Sequence, residues 1–122
     1  MTTPLTPPVG LRPRGRGRRL WRQVLAGLEL DSHELGLLTE TCRTLDLLDT
    51  LAELAGEHGL LTPDGRMAPY VVEGRLQRIA LSRLVASLRL PESLSEPIVP
   101  SRPQRRGAAR GPYGLKVIGG NP

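Results

Sequence analysis

The fold turns on one stretch: Asp31-Ser32-His33-Glu34-Leu35-Gly36-Leu37-Leu38-Thr39-Glu40-Thr41-Cys42-Arg43-Thr44-Leu45-Asp46-Leu47-Leu48-Asp49-Thr50-Leu51-Ala52-Glu53-Leu54-Ala55-Gly56-Glu57-His58-Gly59. Asp31 suits a helix N-cap, and Glu34 three residues later completes a capping box. Leu35, Leu38, Cys42, Leu45, Leu48, Ala52 and Ala55 recur at helical spacing and make one stripe. Gly59, after His58, suits the residue that closes a helix. The spacing predicts one helix from about Ser32 to Glu57, roughly 39 Å long at ~1.5 Å per residue. Leu37, Leu47, Leu51 and Leu54 widen the stripe beyond what one neighbour covers. Such a helix is central in its own subunit or also packs on another chain.

Upstream, Leu20, Trp21, Val24, Leu25 and Leu28 share one face of a shorter helix, with Trp21 expected in the core. Downstream, Pro63-Asp64-Gly65 is a turn, because Pro presets φ and Gly accepts positive φ. A short hairpin and an irregular loop fit it equally well. Pro69 suits the first turn of a third helix, from about Tyr70 to Arg89. Val72, Leu76, Ile79, Ala80, Leu84 and Leu88 lie on its broad apolar face, widened by Leu81 and Val85. Arg75, Arg78 and Arg89 fall within about 60° of each other on the opposite side. Arg83 and Glu73 point into the apolar arc, as residues of an intersubunit or interhelix contact do. The predicted fold class is all-α: a three-helix subunit with a long central helix and a short turn or hairpin before the last helix.

The chain has 122 residues, 12 of them Pro and 14 Gly. Only Pro63 and Pro69 lie between residues 14 and 90, so the prolines mark off three parts. Residues 1–13 are expected to be a flexible arm, 14–90 a helical body, and 91–122 a flexible basic tail. A body of about 77 residues buries a modest core and often needs a partner chain. Leu38, Leu45, Leu48, Leu51, Arg83 and Leu84 are the residues expected at such an oligomer interface. A barrel enzyme of about 250 residues is excluded by length. No run of 18 apolar residues exists, and the first residues lack the apolar core of a signal peptide. A reducing cytoplasm is the expected compartment.

The formal charge is +5, but its distribution is uneven. Residues 1–23 hold six arginines and no acid, and residues 24–65 hold one arginine against nine acids. Residues 66–90 hold five arginines and one Glu. An acidic middle between basic flanks implies contacts between segments or chains, with anion-binding ends. Sixteen of the 17 basic residues are Arg, which suits phosphate recognition and also follows from Arg-rich codon usage.

Catalytic chemistry is not evident. Nothing matches a phosphate-cradling Gly-rich loop with its Lys. His33 and His58 sit at opposite ends of the long helix and cannot share a metal within one subunit. Cys42 is alone and lies on the apolar stripe. Asp46, Asp49 and Glu53 read as a solvated or interface-facing acidic edge. No nucleophile has a base at plausible spacing, so neither an enzyme nor a cofactor or metal is expected. The sharpest motif is Arg12-Pro13-Arg14-Gly15-Arg16-Gly17-Arg18-Arg19. Pro-Arg-Gly-Arg resembles the core of an AT-hook, whose extended Arg-Gly-Arg lies in a narrow minor groove. The usual Pro after the second Arg is replaced by Gly17, and the plainer reading, a basic lead-in to the first helix, is favoured.

Gly10-Leu11-Arg12-Pro13-Arg14-Gly15-Arg16 leading into Leu20-Trp21 resembles the start of phage terminase small subunits of the short helical kind. Leu30 to Leu38 and Thr41-Cys42-Arg43-Thr44-Leu45-Asp46 are similar to their second segment. Pro69 and Leu81-Ser82-Arg83-Leu84-Val85-Ala86-Ser87-Leu88-Arg89-Leu90-Pro91 echo their pre-helix proline and closing segment. Pro112-Tyr113-Gly114-Leu115 in the Arg-rich tail is a weaker likeness. The similarity spans about residues 10 to 91 and rests on order and spacing. The link at Pro63-Asp64-Gly65 is shorter than the Gly-rich loop that relatives often carry.

The resemblance implies a ring-like homo-oligomer in the host cytoplasm, with no enzymatic activity of its own. It would bind double-stranded viral DNA near the packaging start. It would present that DNA to the terminase large subunit, which holds the ATPase and nuclease. The candidate DNA-binding residues are Arg12, Arg14, Arg16, Arg18, Arg19 and Arg22, with Arg75, Arg78 and Arg89 as a second set. Arg102, Arg105, Arg106 and Arg110 are the candidate partner-binding residues of the tail. The alternative is a small, Arg-rich, AT-hook-like DNA-binding regulator; an adaptor without nucleic acid is a third.

Overall fold

A computed structural model describes residues 5–95 and residue 98. Three helices account for most of them: α1 (Arg16–Gly27), α2 (Ser32–His58) and α3 (Pro69–Leu88), followed by a 3-10 turn at Glu92–Leu94. The all-α class therefore holds, and α2 is central: α1 and α3 each pack on it and neither runs along the other.

The local signals act where the sequence places them. The Asp31 carboxylate accepts the Glu34 N–H at 2.8 Å, and Glu34 accepts the Asp31 N–H at 3.0 Å. Both groups serve donors that the first turn of α2 leaves without helical partners. Gly59 closes α2 at φ +84°. Pro69 opens α3 at a position where its missing N–H costs nothing.

Between α2 and α3 the chain makes a miniature hairpin. Leu61 and Met67 form a single antiparallel bridge around Pro63-Asp64-Gly65. The Thr62 N–H donates to Arg66 O at 2.7 Å, and Ala68 N–H to Leu60 O at 2.8 Å. Gly65 has φ +87°, which explains glycine there. Among the described residues no strand extends beyond this bridge.

The core is concentrated at one end of the molecule. Leu20, Val24, Leu38, Cys42 and Leu45 are wholly buried, and Trp21, Leu88 and Leu11 complete the cluster with Ile98. Burying one such leucine contributes about 1.5–3 kcal/mol. Thr41 and Thr44 are buried among them and donate their hydroxyls back to Leu37 O and Glu40 O, both at 2.7 Å. Their polar atoms therefore add no unsatisfied group to the interior.

This packing revises three expectations. Leu38, Leu45 and Leu48, placed at an oligomer interface from sequence, are buried within the chain itself, because α1 and α3 cover that stripe from two sides. The arm and tail boundaries at residues 13 and 91 do not mark breaks in packing. Leu11 and Ile98 enter the core, and the Trp21 indole N–H donates to Leu5 O at 3.3 Å. On α3 the face toward α2 carries Gly74, Leu81, Val85 and Leu88, so Arg83 and Glu73 are exposed and do not point into an apolar arc. The α2–α3 hairpin leaves Leu60, Leu61, Met67, Leu76 and Ile79 each 47–58% exposed.

Candidate nucleic-acid interface

The site is built where the Arg-Gly segment meets α2. Asp46, Asp49 and Glu53 are spaced i, i+3 and i+7, which aligns them on one side of α2 over about 10 Å. Asp46 is 6% exposed. One of its oxygens accepts the Gly17 N–H at 3.0 Å and the other the Arg12 N–H at 2.7 Å. Gly17 is in the first turn of α1, whose N-cap, Gly15, offers no side-chain oxygen. The α2 carboxylate therefore caps α1 from outside and places negative charge on the positive end of its dipole.

That contact explains both glycines. A Cβ on Gly17 would lie 2.6 Å from Cys42 O and 2.9 Å from the Asp46 carboxylate. On Gly15 it would lie 2.7 Å from the same carboxylate oxygen. Only residues without a Cβ allow the start of α1 to sit this close to α2.

Farther along the acidic row the partners are side chains. Arg16 donates to both Asp49 oxygens, from Nε at 3.1 Å and Nη2 at 2.8 Å, the two-pronged geometry that suits a guanidinium. Arg12 Nη2 donates to Glu53 at 2.6 Å, and this carboxylate holds the Arg12 pKa above its ordinary value. Above these pairs lies an open cavity of about 670 Å³, lined by Arg12, Arg14, Arg16, Arg19, Asp49 and Glu53 among others.

The acidic row was expected as a solvated or interface-facing edge. It instead binds the chain's own N-terminal segment. A signal was available in the opposite charges of residues 1–23 and 24–65, and in Arg12 and Arg16 four apart facing acids at matching spacing. The segment is also not extended as an AT-hook requires. Gly15 N–H donates back to Arg12 O at 3.1 Å, closing a turn, and α1 begins at Arg16.

The remaining candidates divide by position. Arg14, Arg19 and Arg22 are exposed and Arg18 is half-buried. Arg18 and Arg22 lie on the side of α1 opposite Leu20 and Val24, facing away from α2, while Arg19 at the edge of that side lines the cavity beside Asp49 and Glu53. Arg75, Arg78 and Arg89 are exposed on α3, with Arg89 in left-handed backbone just beyond the helix. Of the expected interface residues, Leu51 and Leu84 are half-buried. Arg102, Arg105, Arg106 and Arg110 lie outside the described residues.

His33 and His58 are exposed, and among the described residues no group of three His, Cys, Asp or Glu is placed to hold a metal. Cys42 is buried in the core, and burial, aided by the nearby Asp46 charge, pushes its thiol up to about 12. A thiol so protonated is a poor nucleophile at neutral pH. No helix among the described residues is long and apolar enough to cross a membrane. No family model, curated protein or solved structure matches the chain.

Proposed function

We propose that this chain is a non-enzymatic DNA-packaging factor of the phage small-terminase kind. In this reading it binds double-stranded viral DNA as a ring-like homo-oligomer. It then recruits or regulates the large subunit that carries the ATPase and nuclease, in the host cytoplasm. The observation that carries the reading is the arginine face of α1: Arg18, Arg19 and Arg22, preceded by Arg14, with no acid before Glu29. A cationic row on an ordered helix suits contact with a phosphate backbone, which supplies affinity without sequence reading. The exposed apolar residues of the α2–α3 hairpin support assembly, since a chain this small gains from covering them with another copy.

The test measures binding of a labelled DNA duplex by the full chain as salt is varied. Replacing Arg19 and Arg22 together by Ala is expected to weaken binding to all duplexes and flatten the slope of log K against log salt by about 1.8, the loss of two phosphate contacts. Mass measurement of the same sample is expected to give a closed oligomer. A monomer that binds DNA no better at low salt than at high salt overturns the reading.

A further inference from the structure

Helix α3 is apolar on two sides, and its own chain covers one of them. Leu81, Val85 and Leu88 turn toward the core and pack there. Val72, Leu76 and Ile79 follow one another at i, i+4 and i+7, and at about 100° per residue they lie on the opposite side of the helix. Alternating steps of four and three are the spacing of a helix-pairing seam. Leu76 is 50% exposed and Ile79 47%, and among the described residues α2 alone of the helices packs on α3. Two charges bound this apolar row. Glu73 is exposed beside Val72 at its start, and Arg83, four residues past Ile79, is exposed at its end. Glu73 accepts a hydrogen bond from Gln77 Nε2 at 2.7 Å and keeps its charge at the surface. Arg83 has no hydrogen bond or ion pair among the described residues.

Resting on the homo-oligomer of the proposed function, we propose that this outer face of α3 pairs with the same face of a second copy. The two helices run antiparallel about a two-fold axis that passes between Leu76 and Ile79. In that register Leu76 of each copy packs on Ile79 of the other, and Val72 of each lies under the stem of Arg83 of the other. The Arg83 guanidinium then reaches the Glu73 carboxylate of the other copy, and the two-fold makes that ion pair twice. The charges choose the orientation. A parallel pair sets Arg83 against Arg83 and Glu73 against Glu73, and like charges held opposite each other disfavour association. The outer row of α2 is a poorer partner for this face. Leu47, its most open leucine, is 40% exposed, and the acids Asp49 and Glu53 already hold Arg16 and Arg12. An isologous pair closes on two copies, so a ring joins such pairs through a further surface.

The experiment follows the mass of the full-length chain by sedimentation, without DNA, across the micromolar range. Arg83→Glu alone and Glu73→Arg alone each set like charges together twice. Each should raise the concentration needed for half association by about tenfold or more. The combined swap, Glu73→Arg/Arg83→Glu, brings opposite charges together again and should return association close to the wild-type value. Ile79→Asp should abolish pairing while the helical signal persists, because it buries a charge in the seam and not in the subunit. If Ile79→Asp does lose its helical signal, the charge swap, made at two exposed residues, decides the matter. Leu47→Asp, on the outer row of α2, should leave pairing intact. A combined swap that associates no better than the single reversals overturns the α3 pair, and so does a loss in Leu47→Asp equal to that in Ile79→Asp. Wild-type association that persists in either case leaves the homo-oligomer standing. A wild-type chain that stays monomeric throughout removes both.

Discussion

The two ends of this small molecule are built on different terms. At one end α1, the first half of α2 and the close of α3 meet, with Leu11 and Ile98 sealing the cluster. At the other end the second half of α2 and the first half of α3 make a two-helix projection with a turn at its tip. There Leu60, Leu61, Met67, Leu76 and Ile79 stay about half exposed. Large apolar side chains therefore carry stability at one end and offer contact surface at the other. The difference lies in whether a third element covers the stripe, and not in the composition of α2 or α3.

The largest test of this contrast is Leu45→Ala. It empties a wholly buried site and should cost about 2–5 kcal/mol in denaturant unfolding. Gly17→Ala should cost about 1–3 kcal/mol, since its methyl meets backbone at Cys42 that cannot move aside.

Alkaline pH probes the same end. The unfolded Cys42 thiol ionises near 9.0, whereas the folded one stays protonated up to about 12. Its contribution is complete below pH 9 and is lost as pH rises toward 12. Stability should therefore fall by about 1 kcal/mol between pH 8 and 10 relative to Cys42→Ala. Thiol reagents should label Cys42 only on unfolding.

Gly36→Ala should act with the opposite sign. Nothing lies within 4 Å of its would-be Cβ on the exposed side of α2, so a gain of about 0.5–1 kcal/mol is expected. Smallest of all, Leu61→Ala at the tip should change subunit stability by no more than about 0.5 kcal/mol. A large loss there, at concentrations where the chain is monomeric, would show that the projection has a core of its own.

Much of the fold was legible because its signals are local. The Asp31–Glu34 capping box, Gly59, Pro69 and the Pro63-Asp64-Gly65 turn each act within a few residues of chain. The apolar period of α2 marked it as a helix with more than one neighbour. The candidate site was legible only in part. Arg14, Arg19 and Arg22 are on the surface as their type suggests, and Arg18 is half-buried. Arg12 and Arg16 belong to the same run yet are paired, because their partners lie 41 and 33 residues away. Periodicity could not say which leucines of α2 face its own subunit, since both sides of the helix are apolar.

Helix positions, caps and turns, and the separation of charge between the first 23 residues and the next 42, belong to the sequence by itself. Backbone hydrogen bonding and side-chain spacing along one segment suffice to set them. What tertiary structure alone decided is the meaning of the Arg-Gly run. Its glycines serve close approach to Cys42 and Asp46, and two of its arginines answer carboxylates on α2. Such pairing depends on which groups are brought within 3 Å of each other when helices dock, and no property of either segment taken singly specifies that.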